Sequence, residues 1–272
     1  MPPPDDWPTD DSRAMTSNAG MTPGQELAGS VALITGGGRN IGRAIALSLA
    51  AGGASVMVNV DRSRSDAAET VRQVEANGGQ AASFIADVTD SEAVSAMVAA
   101  TVERFGRIDL LVNNAALRTE QAFAGMPIAD WRRILSVILD GAFLCSQACL
   151  PHLVLHGRGA IVNIGGETGH RGAAGRAHVV TAKAGLAGLT KALALELAPQ
   201  RITVNCVVPG RIDTAREMAG VVAVPAHRPA VPPLGRMGAP EEVAAMVRVL
   251  CGPDARYVTG QAIHVNGGGW MP

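Results

Sequence analysis

The sequence predicts an α/β protein of a single domain: a doubly wound, seven-stranded parallel sheet with helices on both faces. Two observations predict it. From residue 30 onward, short apolar runs rich in β-branched residues alternate with longer amphipathic segments, the pattern of strands joined by crossover helices. A glycine-rich stretch, TGGGRNIG at 35–42, also falls between the first such run and the first helical segment.

VALI at 31–34 is short and apolar throughout, as a strand buried on both faces should be. A helix is expected at 41–52, then a strand at SVMVNV (55–60). The next helix, 65–77, ends at Asn77-Gly78-Gly79, residues that accept positive φ. AASFIA (81–86) and DLLV (109–112) are the third and fourth strands, with a helix at 91–105 between them. Pro127 stands where a helix N-terminus tolerates proline, so one long helix is expected over 128–156. AIVNI (160–164), a helix at 176–198, ITVNCVV (202–208), a helix at 240–251 and AIHV (262–265) complete the series. Between Thr214 and Pro240 the alternation lapses, and residues 215–239 are expected to form a substrate lid or surface loop.

Residues 1–27 hold prolines and acids but no apolar run; they read as a disordered tail ahead of a domain spanning 28–272, and as neither signal peptide nor membrane span. Met15 and Met21 are alternative starts. The net charge is −1, with both signs spread along the chain, which argues against a nucleic-acid groove or a membrane-binding face. No stretch is expected to cross a bilayer, and the location expected is cytoplasmic. Cys145, Cys149, Cys206 and Cys251 form no CxxC pair and no zinc spacing, so they read as buried, reduced thiols and no metal is expected.

Glycines at a strand-to-helix turn let the backbone approach a pyrophosphate, and the helix N-terminus supplies N–H groups and partial positive charge. The stretch resembles the TGxxxGxG fingerprint of the short-chain dehydrogenase/reductases, a Rossmann-fold family, with Asn40 at the middle glycine. Asparagine enters left-handed conformations more readily than other non-glycine residues. ADV (86–88), NNAA (113–116), PGRIDT (209–214), LGRMGAPEEVA (234–244) and YVTGQAIHVNGG (257–268) resemble further family motifs, and the likeness is to members of the 3-oxoacyl-acyl-carrier-protein reductase kind. It implies nucleotide contacts from Gly36, Gly38, Arg39, Asn40, Ile41, Gly42, Asp87, Val88, Asn114, Ala115, Ala116, Lys183, Pro209, Gly210, Ile212 and Thr214. At the end of the second strand the family's NAD-selecting acid aligns with Val60. Asp61 could still reach a ribose hydroxyl, whereas Arg39 and Arg62 could grip a 2′-phosphate; NADP is the expected cofactor, with NAD possible.

In that family a tyrosine moves the proton, a lysine four residues later holds the nicotinamide ribose, a serine polarises the substrate oxygen and an asparagine supports a water relay. The resemblance places the lysine at Lys183, but Val179 stands at the tyrosine position, Gly166 at the serine and Ile138 at the asparagine. Tyr257 is the only tyrosine in the chain and lies in another motif. His178 points away from the Lys183 face on a helix advancing about 100° per residue. Glu167 and His170, just after Gly166, could serve as acid and base.

Three readings follow. The first is an NAD(P)-dependent oxidoreductase acting on a small carbonyl, alcohol or imine by a non-standard proton path. The second is a nucleotide-binding sensor or partner subunit without turnover, and the third is a non-redox lyase. The composition of 215–239 predicts a neutral or apolar substrate. The resemblance implies a homo-oligomer, tetramer or dimer, built from the two long helices and the last strand.

Overall fold

The computed structural model describes residues 24–214 and 231–272. Most of the expected tail (1–23) and of the expected substrate loop (215–230) lies outside the described residues.

Seven strands, β1 (Val31–Ile34), β2 (Ser55–Val60), β3 (Gln80–Ile85), β4 (Leu110–Asn113), β5 (Ala160–Ile164), β6 (Thr203–Pro209) and β7 (Ala262–Val265), form one sheet in the order β3-β2-β1-β4-β5-β6-β7. Every neighbouring pair is parallel. Each strand lies within one residue of its expected place. The chain winds outward from β1 to β3 and then returns to pair β4 with β1, so the winding reverses between β1 and β4. In open α/β sheets, ligands bind at the carboxyl ends of the strands beside such a reversal.

Strand side chains alternate between two cores because successive Cβ atoms point to opposite faces. Ala32 and Ile34 enter a cluster with Ile45, Leu49, Val243 and Val247, from α1 (Asn40–Ala51) and α8 (Pro240–Cys251). Leu33 enters the other, with Met97 of α3 (Ser91–Phe105) and Cys145 and Cys149 of α5 (Gly141–Leu153). Burying each large apolar side chain contributes about 1.5–3 kcal/mol. α2 (Arg64–Ala76) covers the β2–β3 edge.

Packed residues lie ahead of the expected boundary at residue 28. Leu27 is buried, its N–H donates to the Gly52 carbonyl at 2.8 Å, and Glu26 is ion-paired with Arg248 of α8. The long helix expected at 128–156 is α4 (Ile128–Leu135), a π-helical turn at Ser136–Asp140, then α5, ending at Leu153. Contrary to expectation, the helical run Ile128–Leu153 contains an 18-residue stretch, of mean hydropathy 1.6, apolar enough by composition alone to cross a membrane. Its apolar character has another cause: Cys145, Cys149 and Leu153 pack on Leu111 and Ile161 of the sheet. A four-residue helix, α6 (Thr168–Arg171), replaces the loop expected after Gly166; it is too short to carry a helical period in sequence. α7 spans Ala177–Leu197.

Candidate nucleotide and substrate site

β1 delivers Thr35 to the switch point, where its hydroxyl accepts from the N–H groups of Asn114 and Ala115, both at 3.0 Å. The Asn114 amide donates to the carbonyls of Thr35 (3.0 Å) and Gly36 (2.9 Å), which ties the glycine loop to the end of β4. Gly36 has φ +62° and Asn40 φ +48°, so the asparagine occupies the left-handed conformation expected of it. A Cβ at Gly42 would lie 2.1 Å from the Gly36 carbonyl oxygen, and one at Gly38 would lie 2.7 Å from Val60 Cγ1. No side chain caps the start of α1 and its first turn holds no acid. Its amide dipoles are therefore left facing the loop, where an anion is favoured. A loop closed to a Cβ at Gly38 and Gly42, with helix amides facing it, fits a pyrophosphate.

Sequence reasoning passed over the residues that brace this loop. Thr70 Oγ1 donates within the 3.0–3.2 Å range to the carbonyls of Gly38 and Gly37, and Arg43 bonds both Gly38 O and Thr70. Asn59 Nδ2 donates to Ala86 O at 3.0 Å. Their signal in sequence is weak because each is an ordinary polar residue in an amphipathic segment.

Other expected contacts fall around the same strand ends. Asp61 and Arg62 form an exposed ion pair at 3.1 Å, so either could turn to a ribose or its phosphate only by parting from the other; Arg39 stands exposed at the start of α1. Asp87 Oδ1 accepts from the Thr89 N–H and hydroxyl, and Val88 is buried against Gly141. Pro209 ends β6, the Gly210 N–H donates to Val265 O at 3.0 Å, and Ile212 bridges to Gly238. Ile41, Ala116 and Thr214 lie in the same set of loops and helix starts.

Lys183 is buried on α7, and its ammonium donates to the Ile164 carbonyl at the end of β5. The neighbouring positions are apolar or bare. Val179 and Ile138 are buried in one cluster with Ala142, Ala182 and Leu186, and Leu117 packs on it. A Cβ at Gly166 would meet only Lys183 Cγ, at 3.9 Å, so the space a serine would use is open. His178 is fully buried: its Nδ1 accepts from the Val179 N–H at 3.0 Å and its Nε2 lies 2.9 Å from Thr119 Oγ1. The first bond puts the ring proton on Nε2, making the ring a donor to Thr119.

Glu167 and His170 are brought to one short helix but face different partners. The Glu167 carboxylate is buried and paired with Arg171 at 2.8 Å, and its Oε2 lies where a Cβ at Gly210 would come within 2.8 Å of it. The His170 ring stands edge-on to His264 at 4.8 Å and 5.4 Å from Trp270. Burial, and then Lys191, lower its pKa. His264 is lowered likewise by burial and by His170, and its Nδ1 has no hydrogen-bond partner among the described residues.

The strand order and the glycine loop define a Rossmann-type dinucleotide-binding architecture. Comparison with known proteins agrees. Residues 36–269 match the family model described as enoyl-(acyl carrier protein) reductase. The chain is 40% identical over 243 residues to a 3-oxoacyl-(acyl-carrier-protein) reductase of Synechocystis sp., covering 89% of this chain and 97% of that one. It is 41% identical over 249 residues to the short-chain reductase protein NovJ of Streptomyces niveus, covering 88% and 93%. Among solved structures, a dehydrogenase/reductase of Sinorhizobium meliloti aligns with a TM-score of 0.85 at 34% identity, over 91% of this chain and 98% of that one. A short-chain dehydrogenase of Burkholderia cenocepacia in complex with NADP aligns at 0.83 and 36%, over 90% and 99%. This chain belongs to the short-chain dehydrogenase/reductase family.

Proposed function

We propose that the chain is an NADP-dependent oxidoreductase, with NAD as a weaker alternative, acting on a small carbonyl, alcohol or imine without a tyrosine proton donor. The observation that supports it is the contrast within the site: the glycine cradle and Lys183 are in place, while Val179 and Ile138 make the substrate side apolar. The glycine loop from Gly36 to Gly42 would hold the pyrophosphate, Asn114, Ala115 and Ala116 the adjoining ribose, Asp87 and Val88 the adenine, and Lys183 the nicotinamide ribose. Pro209, Gly210, Ile212 and Thr214 would flank the nicotinamide. Arg39 and Arg62 would select the 2′-phosphate, and Asp61 would favour the free ribose hydroxyl. When bound, the nicotinamide supplies or accepts a hydride. The apolar wall of Val179, Ile138 and Leu117 offers no proton. A substrate that already carries its positive charge, such as an iminium, suits that wall, since its reduction needs no acid. For a carbonyl, the proton would come from Glu167 after release from Arg171, from His170, or from water.

The same apolar wall favours a second reading, a nucleotide-binding sensor or partner subunit without turnover. Calorimetric titration with NADPH, NADH and their oxidised forms, followed by a carbonyl and imine screen at the nicotinamide absorbance, separates the two. Binding with turnover, lost in Glu167→Gln or His170→Ala and kept in His178→Ala, supports the altered proton path. Turnover of iminium substrates alone, untouched by all three variants, supports hydride transfer without an acid. Binding without any turnover supports the sensor, and no nucleotide binding overturns both. A cytoplasmic homo-oligomer, dimer or tetramer, belongs to the same proposal.

A further inference from the structure

The segment that follows β7 turns back on the site. Asn266 Nδ2 donates to the Trp270 carbonyl at 2.6 Å, and the Gly268 and Gly269 N–H groups donate to Asn266 Oδ1 and O, both at 3.0 Å. Gly267 and Gly268 have φ of +60° and +79°, a reversal open to glycine that lays Trp270 against His264 of the strand just left. Two other elements meet this turn. The Leu234 N–H donates to Gly267 O at 3.2 Å, which joins the turn to the end of the expected substrate loop. On α6, Glu167 Oε2 lies where a Cβ at Gly269 would come 3.0 Å from it, and α6 is backed by α7, since a Cβ at Gly169 would lie 2.8 Å from Lys183 Cβ.

Three rings close the contact. The centroids of His170 on α6 and His264 on β7 are 4.8 Å apart, and Trp270 stands 5.4 Å from the first and 5.0 Å from the second. The groups around them disfavour a positive charge. Glu167, the acid of α6, is engaged by Arg171; α7 brings the cation Lys191, β7 brings the second imidazole, and the turn Asn266–Trp270 carries no charged side chain. An imidazolium donates from both ring nitrogens, and His264 Nδ1 is buried with no partner among the described residues, so a proton on that ring leaves a donor unmatched. The indole attracts a cation lying over its face, but Trp270 is tilted by 37° and 50° to the two rings, so that attraction is only partly realised. Both imidazoles accordingly stand below the usual histidine range, His170 through burial and then Lys191, His264 through burial and then His170.

We propose that Trp270 is an acid-released latch on α6: it stays seated while His170 and His264 are neutral and leaves when either takes up a proton, which frees α6 and the Glu167 carboxylate to move beside Lys183. What that release does for Glu167 and His170 as acid and base rests on the substrate site proposed above; the latch itself does not.

Fluorescence of Trp270 in the full chain carrying Trp7→Phe and Trp131→Phe tests this with neither nucleotide nor substrate present. As pH falls from about 7 to about 5, emission should move to longer wavelength and acrylamide quenching should rise, with a midpoint below the usual histidine value of about 6.5 and unchanged far-ultraviolet circular dichroism. His264→Phe, which keeps a ring but removes one proton site, should make the change shallower, and His170→Phe with His264→Phe should abolish it. A second measurement needs no variant: hydrogen-exchange protection of the amides at 167–172, corrected for the intrinsic pH dependence, should fall about tenfold over the same range. Trp270→Ala should show the lower protection at both ends of it. Unchanged emission and protection in the wild-type chain, a shift that survives the double variant, or one that coincides with loss of circular dichroism overturns the latch. Release of the latch in a chain that turns over nothing in the carbonyl and imine screen retains the latch and overturns the acid–base reading of α6 alone.

Discussion

At Gly42 a methyl group would lie 2.1 Å from the Gly36 carbonyl and 2.7 Å from the Asn114 amide nitrogen, which is itself held by the Thr35 and Gly36 carbonyls, so neither neighbour yields easily. Gly42→Ala is expected to cost about 1–3 kcal/mol or more, the range for forced overpacking, and to abolish nucleotide binding; thermal melting and calorimetry check the two effects. Asn40 carries a milder strain: Asn40→Ala should cost about 1 kcal/mol and Asn40→Gly should be neutral or stabilising. Gly166→Ser should leave stability within about 0.5 kcal/mol, because the space beyond its Cα is open and small surface-type changes rarely exceed that. The glycine positions and the asparagine substitution are legible in sequence because left-handed φ and close approach restrict residue type severely. Thr70 and Arg43 are not, since the bond that couples them joins residues 27 apart in the chain.

Strands and long helices were legible because their period matches their burial, with β1, β2, β5 and β7 at their expected bounds and β3, β4 and β6 displaced by one residue. Irregular elements were not. The π-helical turn at Ser136–Asp140 leaves the apolar pattern intact while widening the helix, and α6 is a single turn. At the same scale, burial pushes the Cys145 and Cys251 thiols up to about 12 and Cys206 to about 11, and raises Cys149 as well. Their folded pKa values exceed the unfolded ones, so the stability they contribute is complete below about pH 9 and is lost as pH rises toward 11–12. A thiol reagent at pH 8 should find no reactive cysteine in the folded chain and all four after denaturation. Rapid reaction of any one in the folded state would contradict its burial.

For the molecule as a whole, Phe143 of α5 and Leu195 of α7 are 47% and 82% exposed, an apolar face on the two helices expected to pair with another copy. Light scattering should give a dimer or tetramer, and Leu195→Arg should shift it to a smaller species; a monomeric wild-type chain would refute the assembly. The acid limb of stability has a definable source in His170 and His264, whose folded pKa values lie below the unfolded value. Their contribution is present above about pH 6.5 and is lost as pH falls. The melting temperature should therefore drop between pH 7 and pH 5, less steeply in His264→Phe. The contact between Glu26 and Arg248 joins residues 222 apart, and Leu27 shares its core with Val247 of the same helix. β1, the first strand of the sheet in chain order, lies at its middle, and α8, which covers the segment leading into it, follows all the other helices of the sheet faces named above. During translation the apolar flank of α1 therefore stays uncovered until α8 has left the ribosome. Closure of this core waits on α8, and a nascent chain halted before it would present Leu27 to any chaperone that reads bare hydrophobic surface.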